Sequence, residues 1–327
     1  MNRRIWVLVV AASLGFGLFT TYEHVFARGL AYFAEGADQY RNYVAMMDGT
    51  AGNPVQYRVL AAWLEWLLVH GFAALGVPNH FTVAFIALRV LEDSAVFVLA
   101  YAYWRKLGLS LPHAFLGMSL LAWGMSYGHH NTDLRFDTYL DVAFYLAAAL
   151  CLLYGRELWL LPLVGLAALN RETSGLIPFL LLAHAWANDR LTRREVALAA
   201  GALAIWAAVF VGLRLAYPPQ RLIVPDGASG LGWPLFVFNA TRYLTPLQLF
   251  AVLGIVPFLA LAGWRHWPPV LRAFALALVP VWLVVHAFAA VVAEARLFLV
   301  PQALVFVPGA LFLAQASGGA ASRSRPE

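Results

Sequence analysis

The chain has 327 residues, of which 62% are hydrophobic and only 12% charged. Soluble domains carry about a quarter charged residues, so the composition excludes an ordinary water-soluble domain. The net charge of +5 falls in short clusters beside apolar runs, which is the pattern of topology signals and not of a nucleic-acid-binding face.

Uncharged apolar stretches recur along the chain, and several reach the ~20 residues that cross a bilayer. They are Leu/Ala-rich and lack period-2 alternation, which predicts helices and not barrel strands. The fold class expected is all-α: a polytopic membrane bundle of about ten crossings in one domain, 1–316, followed by a short tail, 317–327. The single cysteine, Cys151, excludes an intrachain disulfide.

Arg3 and Arg4 precede a first apolar run, 5–22. It has the look of a signal peptide, but no A-x-A site closes it and more spans follow, so an uncleaved first span is expected. The long outer loop 23–80 then carries two candidate surface helices. In 37–48, Tyr40, Tyr43, Val44 and Met47 recur at helical spacing, which predicts an amphipathic helix in the headgroup region. Residues 58–76 either cross the membrane or lie along it. If they lie flat, Arg3/Arg4, Arg105/Lys106, Arg156, Arg190/Arg193/Arg194, Arg265/Arg272 and Arg323/Arg325 all face one side. The positive-inside rule makes that side the cytoplasm and leaves both termini there. Glu65, in the middle of 58–76, agrees with a helix not surrounded by lipid.

Further spans are expected at 81–104, 111–127, 139–155, 195–216, 244–263, 273–292 and 297–316. Between them lie two short runs, 158–169 and 175–187, interrupted by LNRETSGL (169–176). Arg171 and Glu172 are tolerable at that depth only if the helix stops early and faces a wet cavity. The second half shows no matching interruption, and no internal repeat is evident.

This placement gathers ionisable groups on the extracytoplasmic face. Arg58 with Tyr57, Arg171 with Glu172, and Arg296 with Glu294 stand at the water–lipid border, where forked guanidinium groups suit phosphate oxygens. Each arginine alone would also serve as a snorkelling lipid anchor. In HHNTDLRFDTYLD (129–141), Asp133, Asp137 and Asp141 recur at i, i+4, i+8. Like charges at that spacing repel, so a positive partner is needed: a divalent metal held by Asp133, Asp137 and His130, or arginines from other helices. Within a span, Arg89 has Glu92 and Asp93 at i+3 and i+4, a structural self-pair. Asp38 opens the helix at 37–48, where it either caps the helix or acts chemically. No Walker loop, G-x-S-x-G, H-E-x-x-H or paired CxxC occurs, so no nucleotide site is evident.

The order of features from Met1 to about residue 215 resembles the GT-C superfamily of membrane glycosyltransferases, which includes protein mannosyltransferases. An inside N-terminus and one span precede an outer loop with Asp38 before a surface helix, then the helix at 58–76, an arginine-bearing span with Arg89 ending in WRKLG (104–108), and the polar corner ALNRETSGLIP. The resemblance implies a polyprenyl-phosphate-linked sugar as donor, a hydroxyl acceptor, no nucleotide, and Asp38 as the catalytic acidic residue. It also implies a cell-envelope setting such as a bacterial inner membrane. The chain departs from better-known members in being shorter and in its spaced aspartates, which replace a clean D-x-D. A secondary transporter or flippase of a lipid-linked substrate, and a non-catalytic membrane subunit, are the alternatives.

Overall fold

The computed structural model describes residues 3–129, 135–217, 219–221 and 230–323. Among these the secondary structure is entirely helical. The first half comprises α1 (Arg3–Arg28), α2 (Asp38–Met47), α3 (Val59–Ala74), α4 (His80–Leu107), α5 (Leu111–Tyr127), α6 (Asp137–Leu153), α7 (Leu160–Asn170) and α8 (Ile177–Ala187). It is followed by α9 (Arg193–Ala216), α10 (Trp233–Thr241), α11 (Leu244–Leu253), α12 (Val256–Ala262) and α13 (Pro269–Ala289). A final run begins with a 3₁₀ turn, Ala295–Phe298, and continues through α14 (Leu299–Pro301), a π turn (Gln302–Phe306) and α15 (Val307–Arg323).

Four of these helices are long and apolar enough to cross a membrane: α1, α9, α13 and the run Ala295–Gly318. A fifth counts if α11 and α12 are one span. This is the helix set of an integral membrane protein. The last run is its centre, with 83% of its apolar window buried against 11% for α9 at the periphery. Both surface-helix expectations, 37–48 and 58–76, correspond to real helices, α2 and α3. Of the other expected spans, α4 is long enough at 28 residues but carries Arg89, Glu92 and Asp93, and the rest are shorter than a full crossing. The α5 and α6 helices have 17 residues each, about 25 Å at 1.5 Å per residue, and α7 and α8 have 11.

The apolar pattern of 244–263 predicts one unbroken span, and here the structure differs. The chain bends by 68° between α11 and α12. Gly254 makes the bend, at φ 56° and ψ −141°, a conformation that glycine reaches without a Cβ clash. The second half therefore does contain an interrupted helix pair, hidden from the sequence pattern because both sides of the break are equally apolar.

The central run is held by buried aromatic donors. Its π turn frees carbonyls from the i→i+4 ladder, and α4 answers them. Tyr103 Oη donates to the Leu304 carbonyl and Trp104 Nε1 to the Ala303 carbonyl, both at 2.9 Å. Trp282 Nε1 donates to Leu297 O at 2.9 Å, and Trp267 Nε1 to Gly309 O at 3.1 Å. Each pairing satisfies an indole or phenol that burial would otherwise leave costly.

The α1 and α4 helices approach closely where α1 presents Gly17. A Cβ there would lie 2.3 Å from Ser94 Oγ and 3.0 Å from the Val90 carbonyl. Small residues permit such contacts between membrane helices. Gly17→Val is therefore expected to destabilise the fold by about 1–3 kcal/mol through overpacking, measurable as an earlier unfolding transition in detergent. Just below, Thr20 Oγ1 donates to Asp93 Oδ2 at 2.7 Å, and Arg89 pairs with Glu92 at 3.3 Å. The Arg89 guanidinium also lies 4.7 Å from the ring centroids of Phe136 and Tyr139. Arg89 is the buried ion paired with Glu92 on its own helix that its spacing predicts.

Candidate anion-binding site

Four arginines from four separate parts of the chain converge on one cavity of about 230 Å³: Arg58, Arg135, Arg171 and Arg296. Among the described residues Glu294 is the one carboxylate on the same wall, and the rest of the lining is apolar, including Leu231, Leu235 and Leu297. Each arginine arrives by a distinct local device. Arg58 is the N-terminal flank of α3, after a 3₁₀ turn. Arg171 follows the end of α7 in extended conformation, at φ −159° and ψ 145°. Arg135 stands two residues before α6, ahead of its N-cap Phe136, and Arg296 lies in the 3₁₀ turn that starts the final run.

The corner at Arg171 is braced from α9. Trp206 Nε1 donates to the Glu172 carbonyl at 3.2 Å. A Cβ on Gly175 would meet the Trp206 ring at 2.7 Å, so only glycine lets the corner lie this close. Ser174 Oγ returns to the Arg171 carbonyl at 2.6 Å, and Thr173 Oγ1 donates to Asp141 Oδ2 at 2.8 Å. The opposite rim is tied by Asn239. Its Nδ2 donates to the carbonyls of Ala287 and Ala290, and its Oδ1 accepts from the Val292 amide. The first outer loop is pinned as well, by Asn53 Nδ2 to Gln220 O at 2.8 Å and Gln220 Nε2 to Gly49 O at 3.1 Å.

Behind the wall the charges pair. Arg58 reaches Asp137 at 2.8 Å and Glu172 at 3.3 Å. Arg171 lies 3.6 Å from Asp137 and donates to Thr138 Oγ1 at 3.1 Å. Asn170 Nδ2 donates to the Asp137 carbonyl at 2.8 Å. Arg296 pairs with Glu294 at 3.0 Å, and Arg214 approaches Glu172 at 3.9 Å. Burial alone would lower the Arg58 pKa, but Glu172 and Asp137 outweigh it and hold the guanidinium above its ordinary value. Arg58 thus stays charged at every working pH. Among the described residues the cavity lining carries four guanidinium groups and one carboxylate, with Asp137 and Glu172 pairing behind it, and such a wall beside apolar residues suits a phosphate with a hydrocarbon attached.

Compared with known proteins, the chain matches no family model, and no curated protein or solved structure matches it significantly. The functional reading therefore depends on the residues themselves.

Of the residues singled out in the sequence, Arg58, Arg171, Glu172, Glu294 and Arg296 are brought together at this site. Asp137 joins them, in the second of the two roles its spacing allows, as the partner of arginines from elsewhere in the chain. Its carboxylate is satisfied by Arg58 and Arg171, so the positive partner that its spacing demands comes from other helices. His130 and Asp133, the other two candidate metal ligands, lie outside the described residues. Among the described residues no three His, Cys, Asp or Glu side chains converge as a metal-ligand set. Tyr57 turns away from the cavity, and its ring lies 4.4 Å from the Arg214 guanidinium.

Asp38 is not part of the cluster. It opens α2, but the N-cap is Ala37 and Asp38 makes no capping bond. Its side chain is 62% exposed and paired with Arg41 three residues on. The residue of α2 that turns inward is its neighbour Gln39, which is 3% exposed. The signal for this lay in the helix phase, since Gln39 stands one turn before the buried Tyr43. Arg135 and Arg214 had no such signal, because each looks like a solvated loop or helix-end arginine.

Proposed function

We propose that the chain is a membrane glycosyltransferase that moves a sugar from a polyprenyl-phosphate donor to an acceptor hydroxyl. The observation that carries this reading is the convergence of Arg58, Arg135, Arg171 and Arg296 on one cavity with an apolar flank. The prenyl chain would lie in lipid and its phosphate would meet the arginines. As the acceptor oxygen displaces the phosphate, negative charge grows on the leaving group. Preorganised guanidinium groups stabilise that charge without reorganising at the moment of reaction. A single displacement with inversion needs one proton acceptor and no second carboxylate. The likeness to the GT-C superfamily, carried by the surface helices α2 and α3 and by the polar corner, supports the same reading. The charge pattern agrees with about ten crossings and both termini in the cytoplasm, and the GT-C likeness implies a cell-envelope setting such as a bacterial inner membrane.

A transporter or flippase of a lipid-linked substrate is the second reading, and the bent pair α11–α12 favours it, since interrupted helices build transporter sites. Against it, Leu244–Ala262 contains no ionisable residue, so the second break offers no polar site to match the first.

The test is reconstitution in vesicles charged with a polyprenyl-phosphate sugar and a soluble hydroxyl acceptor. Wild type is expected to release polyprenyl phosphate and to glycosylate the acceptor. Movement of intact donor across the bilayer with no bond broken would replace this reading with the second. In the same assay Asp38→Ala is expected to stay within about threefold of wild type, because a proton acceptor must lie within hydrogen-bond reach of the attacking group.

A further inference from the structure

A second, smaller cavity of about 20 Å³ shares Val55, Arg58 and Arg135 with the arginine cavity. On its far side stand Gln39 and Asn42 of α2 and Glu65 of α3. Gln39 and Glu65 are only 3% and 4% exposed. Gln39 Oε1 and Glu65 Oε1 both lack a hydrogen-bond donor among the described residues. Buried polar atoms are nearly always bonded; the Gln39 oxygen only accepts, and the Glu65 oxygen accepts while its carboxyl is ionised, the state in which it can act as a base. Arg58 Nε, on the same cavity, is a donor with no acceptor among the described residues. What completes the cavity is therefore a group that both donates and accepts, and its volume admits roughly one water-sized group. An O–H group fits both conditions.

We propose that this second cavity seats the hydroxyl that attacks the sugar, and that Glu65 takes its proton. The proposal rests on the glycosyl-transfer reading above. In the step, the hydroxyl oxygen bonds to the anomeric carbon while the bond from that carbon to the phosphate oxygen breaks. The electron pair departs on the phosphate, held by Arg58, Arg171 and Arg296. The hydroxyl proton passes to the Glu65 carboxylate. Arg58 borders both cavities, so it stands between the attacking and leaving oxygens.

The surroundings of Glu65 set its proton affinity. Tyr43 on α2 faces it, as does Arg89 on α4, a helix that also carries Glu92 and Asp93. Arg135 and Asp137 border the same cavity, and Arg58 lies on its own helix side. Burial pushes the Glu65 carboxyl up to about 8, with Arg89 pulling the other way. A base must be ionised to act, so the rate rises with pH below about 8 and levels above it.

The experiment follows transfer in vesicles holding a polyprenyl-phosphate sugar, with n-octyl glucoside outside as the hydroxyl acceptor, between pH 6 and 9. Wild type is expected to rise through a pKa near 8. Glu65→Gln is expected to fall at least ~100-fold, as loss of a general base does, while still binding polyprenyl phosphate as wild type does. Glu65→Asp is expected to keep partial activity with a moved plateau. A glycosylated acceptor and free sugar distinguish an organic hydroxyl from water as the attacking group, and either product carries the proposal. Transfer by Glu65→Gln within threefold of wild type overturns the assignment of Glu65 and leaves the transferase reading intact. If that variant does not fold, a wild-type rate that is flat with pH overturns it equally. No product from wild type at any pH sinks the transferase reading and this proposal together.

Discussion

Asp137→Ala should unfold at least 3 kcal/mol more easily than wild type, within the range of about 3–5 kcal/mol for breaking one side of a buried ion pair. Asp137 is 2% exposed and receives two guanidinium groups, Arg58 at 2.8 Å and Arg171 at 3.6 Å. Removing the carboxylate leaves both cations buried. Arg58 retains Glu172 at 3.3 Å, so the larger penalty falls on Arg171, left among the described residues with its bond to Thr138 and the charge of Asp141. Asp137→Asn keeps an acceptor oxygen in place and should cost less than the alanine variant. Chemical unfolding in detergent micelles reads both. An alanine variant as stable as wild type would mean that Asp137 carries no structural charge and would reopen a ligand role for it.

Arg296→Ala should abolish most transfer while leaving the fold standing. Arg296 borders the cavity and its partner Glu294 is 31% exposed, so water can solvate the carboxylate once the guanidinium is gone. The stability cost is therefore much smaller than at Asp137. In the proposed transfer its role would be different. The phosphate gains a further negative charge as the sugar leaves, and losing one preorganised donor to such charge typically costs ~10²–10³ in turnover. Arg296→Lys should restore part of the charge but not the fork, and so only part of the rate. A turnover number unchanged in Arg296→Ala would remove this arginine from the reaction.

Much of the architecture can be read from residue patterns because bilayer physics leaves few choices. The helices expected at 37–48 and 58–76 appear as Asp38–Met47 and Val59–Ala74. Arg171 and Glu172 required an early helix end, and α7 ends at Asn170. What escapes the pattern is phase and breakage. Asp38 and Gln39 are adjacent, and only the packing of Tyr43 and its neighbours decides which faces inward. Glu65 reads as a mark of a wet face. In the fold it shares the buried side of α3 with Ala61, Ala62 and Val69, and the outward face carries Trp63, Trp66 and Leu67. A charge on an apolar helix points to a polar neighbour without saying whether that neighbour is water or protein. The bend at Gly254 and the π turn at Gln302 are similarly silent, because backbone departures inside uniformly apolar runs leave hydropathy unchanged.

On the proposed reading the arginine cavity recognises a phosphate carried on a hydrocarbon chain, and titrating purified protein with a polyprenyl monophosphate and, separately, with the matching polyprenol is the decisive measurement. The phosphate is expected to bind at least tenfold more tightly than the alcohol, added salt to narrow the gap, and Arg296→Ala nearly to close it. Equal affinity for the two lipids in wild type would contradict it.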